Sequence, residues 1–161
     1  MKKLLVLAVL LLVSACGIKP TPVIPAGPAP TLRSPAGSER GTDVILYFRL
    51  GDQVAPVARP AERVVSVETA LSMLLEGPTP AEAAEGYTTV LSRRTGTITL
   101  SPGPPTTIGF SFPLKPITGA GINQLVCTAF AALAAQGSYA IDGTIALAGP
   151  DVQLPYQTCQ A

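Results

Sequence analysis

The pattern of apolar and polar positions divides the chain into three stretches. An unbroken apolar run over residues 4–13 follows Lys2 and Lys3 and stops at Ser14, Ala15 and Cys16. Residues 17–40 carry Pro20, Pro22, Pro25, Pro28, Pro30 and Pro35 among small side chains, with no helical or strand period. From Gly41 onward, short periodic segments alternate with turn signals, and this is where a core can form.

Within that third stretch, residues 44–50 (VILYFRL) are apolar on both faces apart from Arg49, as in a central strand. Gly51 and Asp52 turn the chain into residues 54–59. Pro56 and Pro60 place that second strand at an edge, because proline cannot donate to a ladder. Val67, Ala70, Leu71, Leu74 and Leu75 then fall on one helical face, with Ser66 as N-cap and Glu68 in the positive first turn. Gly77 and Pro78 stop this helix. Thr79, Pro80 and Glu82 restart one at once, in the arrangement of a capping box with proline at the first position. Gly86 ends it, and residues 88–91 read as extended.

Residues 97–100 and 107–112 have strand character around a proline-glycine turn at 101–105; in the second, Ile108, Phe110 and Phe112 share a face. Ile122, Leu125, Val126, Ala129, Phe130 and Leu133 mark a second long helix, which Gly137 is placed to end. Asp142-Gly143, between residues 139–141 and 144–147, predicts a hairpin. The expected fold is α+β: two main helices on one face of a mixed, mostly antiparallel sheet, with a small helix-plugged β-barrel as the alternative. At about 120 residues, the stretch 41–161 suffices for one domain and not two.

The N-terminal pattern changes the picture most. A dilysine start, a short apolar run and Val13-Ser14-Ala15-Cys16 make a bacterial lipobox. The expectation is a signal peptide over residues 1–15, removed to leave Cys16 lipidated as the new N-terminus. A membrane-spanning helix needs roughly 20 apolar residues, more than this run supplies. Two or three acyl chains anchor stably where one is marginal. The expected location is therefore the extracytoplasmic face of the cell membrane, with residues 16–40 as a lipidated cysteine followed by an extended, proline-stiffened spacer.

Composition narrows the chemistry. The formal charge is +1. Beyond residue 40, Arg49, Arg59, Arg63, Arg93, Arg94 and Lys115 are outnumbered by acids, which argues against nucleic acid as a partner. The chain has no histidine, so histidine-based triads have no base, and the usual zinc ligand sets cannot be assembled. No metal or cofactor is expected. With Cys16 lipidated, Cys127 and Cys159 remain as an even pair in an oxidising compartment, where such pairs bond. Cys127 lies on the flank of the second helix, about 120° from the centre of its apolar stripe, where a C-terminal tail could reach it. A loop of about 32 residues closed this way is worth about 3–4 kcal/mol in the chain-entropy account.

The run over residues 71–91, LSMLLEGPTPAEAAEGYTTVL, carries Leu74, Leu75, Gly77, Pro78, Thr79, Glu82 and Gly86 in one block. With Tyr47 and Phe48 in the first strand, Arg59 ending the second and Gln124-Leu-Val-Cys-Thr128 in the later helix, it resembles the GerMN domain of sporulation and spore germination proteins, over about residues 43–148. The flanking lipobox, spacer and terminal cysteine resemble small actinobacterial lipoproteins of that family. The proline-rich turn at 101–105 departs from the pattern. The resemblance implies an envelope lipoprotein and carries over no catalytic residues.

The functional expectation is a non-catalytic lipoprotein that scaffolds or binds protein partners in the cell envelope. The alternative is a surface lipoprotein for a small ligand or glycan, to be recognised by an exposed aromatic platform or apolar pocket. An enzyme acting on wall glycan would need a carboxylate pair, for which Glu82 and Glu85 are the close candidates. Glu82 reads better as a helix cap and Glu85 as a solvated side chain. Arg93 and Arg94 could meet an anionic polymer, but paired arginines in a loop are usually solvated.

Overall fold

A computed structural model of the protein describes residues 42–161 apart from 92 and 141. Cys16, the apolar run before it and the proline-rich spacer lie outside the described residues.

Strands β1 (Val44–Leu50) and β2 (Gln53–Arg59) form an antiparallel hairpin about Gly51 and Asp52, with Leu50 opposite Gln53 and Val44 opposite Arg59. Val44, Leu46 and Phe48 are buried, whereas Ile45, Tyr47 and Arg49 on the other face are half-buried. β1 is thus central in its sheet, as its apolar run predicts, but only one of its faces enters the core. Helix α1 (Val67–Glu76) buries the five apolar residues of its predicted stripe. Each large side chain among them contributes about 1.5–3 kcal/mol by leaving water. Ser66 caps it by accepting the Thr69 N–H at 3.2 Å.

Helix α2 (Pro80–Ala84) buries none of its residues and is held by its ends instead. The Glu82 carboxylate accepts the Thr79 N–H at 2.7 Å, and the Thr79 hydroxyl accepts the Glu82 N–H at 3.3 Å. This reciprocal capping satisfies two amide donors that five helical residues could not. Strand β3 (Tyr87–Thr88) then pairs with Arg49 and Leu50, completing a first sheet of order β2-β1-β3.

The second sheet has order β4-β5-β6-β7, from β4 (Ile98–Ser101), β5 (Thr106–Phe110), β6 (Ile145–Ala148) and β7 (Gln153–Gln157). Its pairs are antiparallel except β5 with β6, which is parallel. Helix α3 (Gly119–Ala135) connects those two strands, as a parallel neighbour requires a crossover. α3 ends in a Schellman arrangement: Ser138 N–H donates to Leu133 C=O and Gly137 N–H to Ala134 C=O, with Gly137 at φ 70°. Both main helices pack on β1 and on each other, and side chains from both sheets meet in one apolar cluster around them.

The α+β class holds, with strands divided between two open sheets rather than gathered in one or closed into a barrel. One expected element is wrong. Asp142-Gly143 does not turn a hairpin, because residues 139 and 140 form no strand and Tyr139 is exposed. The chain there is returning from α3, and the Asp142 carboxylate accepts the Thr144 N–H at 3.0 Å in a local turn that leads into β6. The hairpin partner of β6 is instead β7, a strand the apolar pattern did not announce. The last connection is pinned from inside: Asp151, in the β6–β7 turn, accepts N–H bonds from Leu114 at 2.8 Å and Lys115 at 3.0 Å.

Candidate functional site

The polar residues of the block spanning Gly77 to Glu82 converge on Arg59. Its guanidinium donates from Nε to Glu82 Oε1 at 2.8 Å and from Nη2 to Glu82 Oε2 at 2.7 Å, and Nη2 also reaches the Gly77 carbonyl at 2.9 Å. It stacks over the Phe48 ring, 5.4 Å from the centroid. Both charged side chains are largely enclosed, at 13% and 12% exposure. The bond from the Arg59 guanidinium, with the Thr79 amide, holds the Glu82 carboxyl below its ordinary pKa despite partial burial. A general acid needs the opposite shift. Glu85 caps the far end of α2 and is exposed. The two carboxylates weighed for glycan cleavage therefore do different structural work.

A second polar cluster lies between α3 and β1. Tyr47 stands opposite Pro56, which has no N–H, so the Tyr47 peptide groups point away from β2. Strand β3 stops short of them. Side chains of α3 take its place: Thr128 Oγ1 accepts the Tyr47 N–H at 2.9 Å, and Gln124 Nε2 donates to the Tyr47 carbonyl at 3.0 Å. Gln124 Oε1 in turn accepts the Val90 N–H at 3.2 Å and faces the Thr89 hydroxyl at 3.3 Å. Both side chains are fully buried. The Gln-Leu-Val-Cys-Thr segment is thus a surrogate strand, its Gln and Thr one helical turn apart on a single face.

Cys127 and Cys159 form a disulfide, as the cysteine count predicts. One turn earlier on α3, the Asn123 carboxamide holds the backbone of Gln160 from both sides, accepting its N–H at 2.9 Å and donating to its C=O. Together they fasten the C-terminal tail along α3.

Two surface clefts remain as binding candidates. One, of about 490 Å³, lies between the C-terminal end of α1 and residues 93–96. Its arginines are engaged: Arg93 donates to the Glu76 carbonyl at 3.3 Å, and Arg94 donates to the Pro113 carbonyl at 3.4 Å and sits 5.6 Å from the Phe112 ring centroid. The other, of about 450 Å³, lies between α3 and the tail. Ile122, Val126 and Leu154 supply its apolar groups, and Tyr156, 68% exposed, lines it too. Sequence reasoning missed this cleft because it placed no strand after residue 147. The available signal was Leu154-Pro155-Tyr156 beside a cysteine whose partner lies on α3.

Among the described residues, no three His, Cys, Asp or Glu side chains gather as a metal site, and no helix is long and apolar enough to cross a membrane. No family model matches the chain, and no curated protein or solved structure matches it either.

Proposed function

We propose that the chain is a lipoprotein processed at Cys16 and tethered to the extracytoplasmic face of the cell membrane, where its GerMN-like domain serves as a non-catalytic module that binds or scaffolds other envelope proteins. The observation that carries the non-catalytic part is the fate of Arg59, Thr79, Glu82, Gln124 and Thr128. Their functional groups all engage backbone or each other. Such use supports a rigid presenting domain, with recognition on its exposed faces rather than in a reactive centre. The link to sporulation rests on the resemblance over about residues 43–148 alone.

Two experiments test the two parts. Growth with a radiolabelled or clickable palmitate should label the wild-type chain and leave Cys16→Ala unlabelled and unprocessed; equal labelling of both removes the tether. Photocrosslinking in cells, followed by mass spectrometry, should return a reproducible envelope protein. Recovery of none from a validated, correctly located bait removes the scaffolding role. A wall-hydrolase activity lost in a folded Glu82→Gln protein would instead establish an enzyme.

The glycan-binding alternative is favoured by one feature of its own, the exposed Tyr156 beside the α3–tail cleft.

A further inference from the structure

Strand β7 contains a bulge. Ile145 of β6 faces Gln157 and Leu147 faces Leu154, so Ala146 alone stands opposite both Pro155 and Tyr156. The extra residue changes which way the strand presents its side chains. In a regular strand Tyr156 would share the inward face of Leu154, two residues earlier. Here Leu154 and Gln157 are half-buried, while Pro155 and Tyr156 both turn to solvent. Tyr156 reaches this position with φ at 55°, the one non-glycine residue with positive φ among those described. A bulky side chain in that region is disfavoured. Bulges are over-represented at sheet edges, where β7 lies, and next to functional sites, where they re-aim a side chain.

What Tyr156 is turned toward has a definite character. Its neighbours in the cleft are Ile122, Val126 and Leu154 on the apolar side, and uncharged amide and hydroxyl side chains, Gln157 and Thr158, on the other. Every side chain lining the cleft is uncharged. The cleft is open to solvent, so it does not offer the dry enclosure an acyl chain needs. Beyond Gln160 a second groove, of about 570 Å³, continues past Asn123 toward Asp52, Gln53 and Val54; it shares Gly119, Asn123 and Gln160 with the first but carries the Asp52 carboxylate at its far end. An aromatic side chain beside apolar ones, with the Thr158 hydroxyl and the Gln157 amide (whose Nε2 also donates to the Pro155 carbonyl at 2.8 Å) along its edge, matches a chain of pyranose rings. Such rings have C–H faces that stack on an aromatic and hydroxyl or amide edges that bond in plane.

We propose that the cleft between α3 and the C-terminal tail binds a neutral oligosaccharide, with Tyr156 as its stacking platform and the Cys127–Cys159 disulfide and Asn123 clamp holding one wall in place. The proposal rests on the glycan-binding alternative above and gives it a ligand class and a platform, at a cleft whose lining includes none of Arg59, Glu82, Gln124 and Thr128.

The test uses the full chain with its disulfide formed and a β-1,4-linked N-acetylglucosamine tetramer, read by saturation-transfer NMR and calorimetry. Binding should be saturable, with a Kd of about 1 mM or tighter. Tyr156→Gly keeps the positive φ without strain and removes only the ring, so it should weaken binding about tenfold or more with circular dichroism unchanged. Tyr156→Phe should bind within about threefold of wild type, as should Tyr139→Ala, which removes an equally exposed tyrosine not lining the cleft. Absence of saturable binding by the wild-type chain overturns the proposal, as does equal weakening by Tyr139→Ala. Self-association that Tyr156→Gly abolishes, without sugar binding, assigns the cleft to a second copy of the chain and overturns it too. These readouts are independent of palmitate labelling and of protein crosslinking, so failure here leaves the tether and the scaffolding role to be judged separately.

Discussion

Replacing Gln124 by leucine tests whether α3 acts as a stand-in for a strand. The substitution nearly preserves volume and adds apolar surface at a fully buried site, so a hydrophobic ledger alone would call it stabilising. The hydrogen-bond geometry says otherwise. Without the carboxamide, which is itself fully buried, the Tyr47 carbonyl loses its 3.0 Å donor and the Val90 N–H its 3.2 Å acceptor. Each orphaned backbone group costs about 1–3 kcal/mol. Against that, leucine recovers about 1–2 kcal/mol of burial. The net expectation, two such costs less the recovered burial, is a loss centred on about 2–3 kcal/mol. In a domain of about 120 residues that lowers Tm by roughly 4–15 °C. Gln124→Glu sharpens the test. A carboxylate can still accept from Val90 but cannot donate to Tyr47, and burial raises its pKa in the folded state above the unfolded value. Its folded form therefore holds the proton more tightly, so this variant is most stable below the unfolded carboxylate pKa and loses stability as pH rises through the folded one. Urea unfolding across pH 4–8 measures both variants, and hydrogen exchange at the Val90 amide reports the local loss. A Gln124→Leu protein within about 0.5 kcal/mol of wild type, with Val90 still protected, would refute the reasoning.

Four other expectations follow from the same kind of accounting. Arg59→Ala removes a two-pronged ion pair and the bond to the Gly77 carbonyl, and should cost about 2–4 kcal/mol in urea unfolding. Because Glu82 is held below its ordinary pKa, its contribution is present above the unfolded carboxylate range and is lost as pH falls below about 4; Glu82→Gln should flatten that acid limb. Reducing the disulfide, or replacing Cys159 by serine, should lower stability by about 3–4 kcal/mol and raise proteolysis at the tail, with α3 itself remaining helical by circular dichroism. Gly121→Ala and Gly119→Ala should move in opposite directions although both lie in the first turn of α3. A Cβ at Gly121 would meet Ile117 Cγ2 at 2.7 Å and Leu91 Cδ2 at 3.0 Å, a clash of about 1–3 kcal/mol that outweighs a helix-propensity gain of about 1 kcal/mol. A Cβ at Gly119 meets nothing, so thermal unfolding should show a neutral or slightly stabilised protein.

The helices were legible because their signals are local. Ser66, the Val67-to-Leu75 stripe and the Thr79–Glu82 box each act within one or two turns, and the structure uses each as its spacing predicts. The first hairpin was legible for the same reason, with Gly51-Asp52 joining two extended runs. The Asp142-Gly143 reading failed because the same dipeptide serves any tight turn. What decides between a hairpin and an entry turn is whether the preceding residues have a free neighbour to pair with, and the residues leaving α3 do not. Gln124 and Thr128 could be seen as a helix motif, but their purpose depends on Pro56 and on where β3 stops, three segments that are distant in sequence.

The candidate cleft was illegible for a further reason. Three features build it, and the first two have no signature of their own: a two-for-one bulge in β7, an asparagine gripping a peptide group, and a disulfide joining helix to tail. The cysteine count predicted the third, and that alone implied that residues 153–160 lie along α3. It did not imply which side chains the tail would show, because inserting one residue into a strand exchanges its faces. Tyr156 is the residue on which that exchange acts. If its ring served packing, the regular register would have buried it beside Leu154 without a bulge or a positive φ. The backbone instead takes the less favourable conformation and the ring stays in solvent beside the cleft, where a ligand can meet it.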